Sequence, residues 1–182
     1  TVWGYCGRID NEHKAVNRIV RCFVKFATLC GDKKHVLSII GDGQDLDSLR
    51  NEYGSEINAG LIQFHGKQFG AAKYNLLKKM DYFVHLSNSE GLPLACLDAL
   101  SLGIPLLVTK ETNLGDEITK YGAGIVTSRD DASVVDSMGK MMTLDRNALV
   151  RGCLNLTKEK FDWNLSCNKL VNLYLEAFSM KS

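Results

Sequence analysis

Strand-like segments alternate with helix-like segments over the first 127 residues of this 182-residue chain. Short apolar runs rich in β-branched residues are followed by stretches with apolar residues three and four positions apart. This alternation is typical of an α/β domain, in which helices cover both faces of a parallel sheet. We therefore predict a Rossmann-like, doubly wound parallel sheet of about six strands. The predicted strands are 2–6, 36–40, 61–65, 81–86, 106–108 and 124–127.

A helical C-terminal extension follows the predicted sheet and occupies residues 132–178, with breaks near 143–145 and 161–163. Asp162 is the predicted N-cap of the last helix. The length of the chain suits one domain with a real core and is too short for two ordinary domains. The other predicted helices are 16–29, 45–53, 71–80, 94–102 and 114–121.

Composition excludes several classes of protein. A net charge of +1 gives no indication of the excess positive charge that nucleic-acid-binding domains carry. The six cysteines have no Cys-x-x-Cys spacing, which favours reduced, buried thiols in a cytosolic protein over a disulfide framework or a zinc site. The four histidines share no metal-ligand spacing, and His85, within a strand pattern, is interpreted as structural. No apolar run reaches the length of a membrane span.

The polar segment between a predicted strand, 81–86, and a predicted helix carries the features of a binding loop. Pro93 suits the first turn of that helix, where its missing N–H costs nothing. Unsatisfied backbone N–H groups at a helix N-terminus attract anions, and Gly91 lets a ligand approach the backbone. Glu90 and Asp98 bracket this site. The two carboxylates could contact opposite ends of a ligand with an anion in its middle, as in a nucleotide sugar.

Two motifs resemble a known family. Residues 90–109, EGLPLACLDALSLGIPLLVT, resemble the donor-site signature of group 1 (family 4) GT-B glycosyltransferases, in which seven residues separate two glutamates. Asp98 stands in place of the second glutamate. Gly7-Arg8, five residues and then Lys14 resemble the Gly-Arg…Lys-Gly motif of the same family, although an alanine follows the lysine. The resemblance extends over nearly the whole chain.

The resemblance implies a function for these positions. Arg8 and Lys14 would neutralise the departing diphosphate, and Glu90 would orient the donor sugar, so these three form the implied catalytic set. Asp98 would bind the ribose, and the segment at Gly66 would pass near the nucleobase. The implied donor-binding residues are Gly7, Gly66, Lys67, Gly91, Leu92, Pro93, Leu94, Ala95 and Asp98.

As a whole, residues 1–182 would form a single nucleotide-sugar-binding domain, the C-terminal half of a GT-B enzyme whose N-terminal acceptor domain is absent. The chain starts at Thr1 on a strand pattern, without a methionine or leader, and we expect a fragment of a longer protein. The parent would transfer a sugar from a UDP-sugar or GDP-sugar to an acceptor glycan or lipid-linked glycan, with retention and without a metal or other cofactor. We expect a cytoplasmic, bacterial enzyme of polysaccharide biosynthesis; peripheral association with the inner face of the membrane stays open. The fragment alone is expected to be nearly inactive.

Simpler interpretations exist for the same residues. Arg8 and Lys14 could be surface cations, Glu90 an acidic helix cap, and Asp98 an exposed helix residue. For Gly41-Asp42-Gly43 a tight strand–helix turn is the better interpretation, because nearby aspartates would repel a pyrophosphate. A regulatory GT-B relative that binds a nucleotide sugar without transfer is the main alternative function, and a nucleotide-sugar epimerase is a weaker one.

Overall fold

A computed structural model describes residues 1–31 and 34–179 of the chain. Neighbouring strands of its sheet are all parallel, in the order β3-β2-β1-β4-β5-β6. The predicted α/β class and doubly wound sheet are therefore confirmed. The order reverses where β1 lies beside β4, and ligands of such sheets bind at this point, outside the carboxyl ends of the strands. The strands are β1 (Val2–Cys6), β2 (Val36–Ile40), β3 (Ile62–Phe64), β4 (Tyr82–His85), β5 (Leu106–Thr109) and β6 (Gly124–Thr127).

The helices follow the predicted pattern with a few differences at their ends. The predicted helix 45–53 is followed by a further short helix that the sequence analysis missed. The helix predicted over 71–80 ends earlier, because the N–H of Met80 bonds to the carbonyl of Leu77 at 2.8 Å and tightens the last turn. The helices are α1 (Val16–Leu29), α2 (Leu46–Glu52), α3 (Gly54–Asn58), α4 (Gly70–Leu77), α5 (Leu94–Ser101), α6 (Gly115–Tyr121), α7 (Asp131–Met141), α8 (Arg146–Lys160) and α9 (Trp163–Ser179).

The core has two layers, one on each face of the sheet. Residues alternate along β4, so that Tyr82 and Val84 pack with α1 and α7, whereas Phe83 packs with α5 and α8 on the other face. This arrangement confirms the prediction that helices cover both faces. Asp162 caps α9 as predicted, accepting hydrogen bonds from the backbone N–H groups of Asn164 and Leu165.

The six cysteines all carry free thiols, and four of them are buried, as predicted: Cys6, Cys22, Cys96 and Cys153. Within the described ranges, the structure has no helix that is both long enough and apolar enough to cross a membrane.

An ion-pair cluster ties α1 to α7 on one face of the sheet. Arg21 donates to both carboxylate oxygens of Asp131, at 2.7 and 2.9 Å, and Lys25 adds a third contact at 3.0 Å. The hydrogen bonds from Arg21 hold the pKa of Asp131 well below its usual range, although partial burial opposes them. Since the folded state favours the ionised carboxylate, this cluster stabilises the fold above the ordinary pKa of aspartate and loses its effect as the pH falls.

Replacing Asp131 with asparagine should lower the free energy of unfolding at pH 7 by about 1 kcal/mol, a value discounted because Arg21 is partly exposed. The difference between wild type and variant should shrink steadily as the pH falls from about 5 toward 2. Urea unfolding at a series of pH values measures it. Asp136→Asn is the matched control, because Asp136 forms a single, exposed pair with Lys140 on the same helix. A wild-type-to-variant difference that is independent of pH would contradict this assignment.

Candidate functional site

The loops that follow β1, β2, β3 and β4 meet at the carboxyl edge of the sheet, as the sequence analysis predicted. Backbone hydrogen bonds join each loop to the next. The N–H of Gly7 donates to the carbonyl of Ile40, that of Gly41 to the carbonyl of Gly66, and that of Asn88 to the carbonyl of His13, all at 2.8–2.9 Å. Because each loop is bonded to its neighbour, side chains carried on different loops are held in one place.

The glycines of the β2–α2 turn are required by this loop packing. A Cβ atom on Gly41 would lie 1.9 Å from the carbonyl oxygen of Gly7, and one on Gly43 would lie 2.2 Å from that of Ile9. The interpretation of Gly41-Asp42-Gly43 as a tight turn is therefore confirmed. What these glycines contact is the backbone of the β1–α1 loop.

A cleft of about 590 Å³ opens between these loops, within the size range of small-ligand sites. It brings together three of the predicted site residues, Gly7, Arg8 and Lys67. Gly66, just before Lys67, has a φ of +65°, which a glycine adopts without strain. The cleft is lined by Cys6, Gly7, Arg8, Ile40, Gly41, Asp42, Gly43, Lys67 and Gln68.

Arg8 is oriented by a buried carboxylate that the sequence analysis missed. Its guanidinium lies 2.9 Å from Asp10, whose side chain is 5% exposed. The backbone N–H of His13 donates to Asp10 and is the main reason that the pKa of this carboxyl lies below its ordinary value. The His13 ring contacts the same carboxylate at 3.0 Å. Aspartate side chains often accept hydrogen bonds from nearby backbone N–H groups in turns, and this tendency could have drawn attention to Asp10.

Lys14 and Glu90, predicted from separate motifs, form an ion pair in this structure. The side chains are 20% and 14% exposed, so water screens the pair only in part. Burial acts to raise the pKa of Glu90, but the hydrogen bonds from Lys14 and His85 outweigh it and bring the pKa below its ordinary value. Glu90 is therefore ionised at neutral pH.

His85, which the sequence analysis interpreted as structural, contacts one of the predicted site residues. Its Nε2 atom lies 3.0 Å from the Oε1 atom of Glu90, the same oxygen that pairs with Lys14. His85 is the last residue of β4, and a polar residue at the carboxyl end of a parallel strand was the signal that could have identified it.

The loop that carries Glu90 is anchored on both sides. Ser87 donates its hydroxyl to the carbonyl of His13 at 2.8 Å, toward β1. Asn113, in left-handed conformation with φ of 53°, donates its side-chain amide to the carbonyl of Glu90 at 2.6 Å, from the segment after β5. These contacts set the backbone that presents the N-terminus of α5.

Helix α5 starts at Leu94, so Pro93 is its N-cap, one position before the predicted first turn. Gly91, Leu92 and Leu94 are exposed, whereas Pro93 is buried and Ala95 is half-buried. Among the residues that the structure describes, no acceptor faces the backbone N–H groups of Leu94 and Ala95. The N-terminus of α5 therefore retains free donors for an anion.

Asp98 already has protein partners. Lys73 lies 2.7 Å from one carboxylate oxygen and the Tyr74 hydroxyl donates to the other at 2.8 Å, both from α4. Burial raises the pKa of Cys6, a thiol in the cleft wall, and the charges of Lys73 and Asp98 act on it more weakly. Contact between Asp98 and a ribose stays a prediction.

In 1–31 and 34–179, histidine, cysteine, aspartate and glutamate side chains form no group of three or more that could hold a metal ion. The prediction of a metal-independent site is not tested by this observation.

This strand order, with four loops meeting at the carboxyl edge of the sheet, defines a doubly wound α/β domain, and comparison with known families identifies it further. The family described as glycosyl transferases group 1 matches residues 2–150. The chain therefore belongs to this family.

Two curated relatives match most of the chain. An uncharacterized glycosyltransferase of Methanocaldococcus jannaschii is 25% identical over 175 residues, which is 93% of this chain and 44% of the relative. The UDP-Gal:alpha-D-GlcNAc-diphosphoundecaprenol alpha-1,3-galactosyltransferase of Escherichia coli is 26% identical over 144 residues, which is 78% of this chain and 37% of the relative. The chain thus spans less than half the length of these relatives.

Solved structures support the fold. The C-terminal domain of a glycosyl transferase group 1 family protein from Francisella tularensis superimposes with a TM-score of 0.73 at 19% identity, covering 89% of this chain and 86% of that one. The S. aureus protein TarM, solved with UDP, gives a TM-score of 0.80 at 16% identity, covering 95% of this chain and 35% of that one. The prediction of one half of a GT-B fold is confirmed.

Proposed function

We propose that this chain is the donor-binding domain of a glycosyltransferase that moves a sugar from a nucleoside diphosphate to an acceptor glycan or lipid-linked glycan, with retention of configuration. The observation that carries the proposal is that two cations, a helix N-terminus with free donors and an ionised carboxylate all lie on loops at one edge of the sheet. These groups match the diphosphate and the sugar of one ligand. The UDP-Gal substrate in the name of the E. coli relative agrees with such a donor.

The diphosphate would lie between the cleft and the N-terminus of α5. Arg8 lines the cleft, and Lys14 pairs with Glu90 on the next loop. Guanidinium, ammonium and backbone N–H groups all donate charge-assisted hydrogen bonds to phosphate. Because negative charge grows on the diphosphate as it leaves, the same contacts would strengthen in the transition state and accelerate transfer.

The two ends of the donor would be bound by separate carboxylates. Glu90 would orient the sugar through its hydroxyl groups, and Asp98 would accept hydrogen bonds from the ribose in addition to those from Lys73 and Tyr74. Gly66 and Lys67 would lie along the nucleobase. We propose no metal, because the two cations and the helix N-terminus can compensate the charge of the diphosphate.

The acceptor would be bound by a part of the parent protein that this chain does not include. The structural match to a C-terminal domain and the coverage of 37–44% of the curated relatives support this assignment. The diphosphoundecaprenol-linked substrate named for the E. coli relative suggests a lipid-linked glycan as acceptor. We propose that the parent acts in the cytoplasm, at the inner face of a bacterial membrane, in polysaccharide biosynthesis.

A titration with UDP and GDP, in buffer containing a chelator, tests the proposed function. We expect one nucleotide to bind this chain with a Kd of about 1 μM to 1 mM and at least about tenfold more tightly than the other. The chelator should not weaken binding of this nucleotide. If neither UDP nor GDP binds this chain or its full-length parent, the donor-site proposal is wrong.

A regulatory relative that binds a nucleotide sugar without transferring it is the second candidate. The contacts of Asp98 with Lys73 and Tyr74 favour this regulatory function, because they occupy the carboxylate that is proposed to bind the ribose. Turnover separates the two functions. We expect sugar transfer by the full-length parent and almost none by this chain alone, and a parent that binds the donor without turnover would favour the regulatory function.

A further inference from the structure

His85 is a buried polar residue directly behind the carboxylate proposed to bind the sugar. Only 3% of its side chain is exposed. Its ring stacks against Tyr5, with centroids 5.9 Å apart and planes 13° from parallel. With the ring held in this way, Nε2 points at Oε1 of Glu90 from 3.0 Å. The charged groups acting on this ring are Glu90 and Lys14.

The contact requires a particular tautomer of His85. Burial lowers the pKa of His85, and the opposing effect of Glu90 does not restore it, so the ring is neutral at neutral pH. An ionised carboxylate can only accept hydrogen bonds, so the proton must be on Nε2. The other nitrogen, Nδ1, is buried without a partner among the described residues. A proton there would create an unpaired buried donor, which also favours the Nε2–H tautomer.

The two oxygens of Glu90 differ in their surroundings. Oε1 accepts from both Lys14 and His85. Oε2 has no hydrogen-bond partner in the part of the chain that the structure describes. A carboxylate held through one oxygen presents the other in a defined direction. When the Lys14 ammonium turns toward a bound diphosphate, His85 remains as the side-chain donor that keeps Glu90 in place.

We propose that His85 is a positioning residue that holds Glu90 through its Nε2–H group and so directs Oε2 at a hydroxyl of the donor sugar. This inference rests on the proposed function. It assigns His85 to recognition of the sugar of the nucleotide sugar, with no direct part in binding the diphosphate. A residue that only filled the core would affect both parts of the ligand alike, through the stability of the loop.

Three variants of the chain distinguish these roles. His85→Gln keeps an N–H donor near the position of Nε2. His85→Leu removes this donor and fills the space with an apolar side chain. Phe83→Leu is the control for a core defect, because Phe83 is fully buried in the same strand, two residues before His85, and belongs to the apolar cluster that includes α5 and α8. Thermal unfolding shows whether the variants are folded at the assay temperature.

Calorimetry then compares the affinity of each variant for the nucleotide sugar and for the bare nucleoside diphosphate. We expect His85→Leu to bind the nucleotide sugar about tenfold more weakly and the bare diphosphate within about twofold of wild type. His85→Gln should recover most of the loss, and Phe83→Leu should alter neither affinity. Equal losses for both ligands in His85→Leu, no recovery in His85→Gln, or an unchanged affinity for the nucleotide sugar would each overturn the proposal.

A spectroscopic measurement separates failure of this inference from failure of the proposed function. The ¹⁵N shifts of the His85 ring should show a neutral Nε2–H tautomer at pH 7, and Glu90→Gln should move the Nε2 resonance. If neither ligand binds the wild-type chain or its full-length parent, the proposed function fails, and the role of His85 in sugar recognition fails with it. If both ligands bind but the ring carries its proton on Nδ1, only the inference about His85 is overturned.

Discussion

Replacing both Arg8 and Lys14 with alanine is expected to weaken binding of a nucleoside diphosphate by about 100-fold or more. A hydrogen bond to a charged group contributes about 1.5–3 kcal/mol, so two such contacts amount to about 3 kcal/mol at the least. Each 1.4 kcal/mol changes an equilibrium constant about tenfold. Titration calorimetry of wild type and double variant, with the nucleotide that wild type binds better, measures the loss.

The control for this prediction must remove the same charge elsewhere. Arg151→Ala/Lys158→Ala suits this purpose, because both residues are exposed on α8. It should leave the affinity within about twofold of wild type, since exposed charges at a distance are screened by salt. If the two double variants weaken binding equally, the effect is one of net charge, and Arg8 and Lys14 do not form a phosphate site.

The double variant also changes the carboxylates that these cations contact. Without Lys14, the Glu90 carboxylate keeps the hydrogen bond from His85 as its one contact of this kind within the described residues, and its pKa should rise because burial is then less opposed. Asp10 loses Arg8 but keeps its hydrogen bonds from His13. For this reason the single variants should be compared with the double, because contacts within one network need not add.

Replacing Gly41 with alanine is expected to reduce the free energy of unfolding by about 3 kcal/mol or more. The new Cβ would lie 1.9 Å from the carbonyl oxygen of Gly7, and φ at Gly41 is +152°. A clash with backbone cannot be relieved by a change of rotamer. The β1–α1 and β2–α2 loops would have to separate, which disturbs the hydrogen bond between Gly7 and Ile40 and displaces Arg8.

Urea unfolding measures this effect, and nucleotide titration of the variant should show weaker binding as well. Gly139→Ala is the matched control: an added Cβ there, inside α7, meets no atom within 4 Å. Alanine is a better helix former than glycine, so the control should stabilise the protein by about 0.5–1 kcal/mol. If Gly41→Ala unfolds at the same urea concentration as wild type, the close approach of the two loops is not required for the fold.

Local pattern was sufficient for much of the secondary structure. The predicted bounds of β1, β2, β6 and α1 agree with the structure residue for residue. The pattern of apolar residues in each of these elements ends at a glycine or a polar turn, which marks its boundary. Helix α3 was missed because its sequence, Gly54–Asn58, has no buried residue and contains a single strong helix former, Glu56. The early end of α4 at Leu77 depends on a tight turn into β4, which periodicity does not record.

The sequence by itself determined the α/β class, the edge of the sheet at which the site lies, and the motif residues Arg8, Lys14 and Glu90. Only the tertiary structure decided how they are paired. Lys14 meets Glu90 across 76 residues of chain, and His85 joins them, because β1 lies next to β4 in the sheet. Likewise Asp98 contacts α4, 25 residues earlier. Strand order and the register of packed helices determine these contacts. Such long-range contacts produce no periodic pattern of apolar residues from which the sequence alone could predict them.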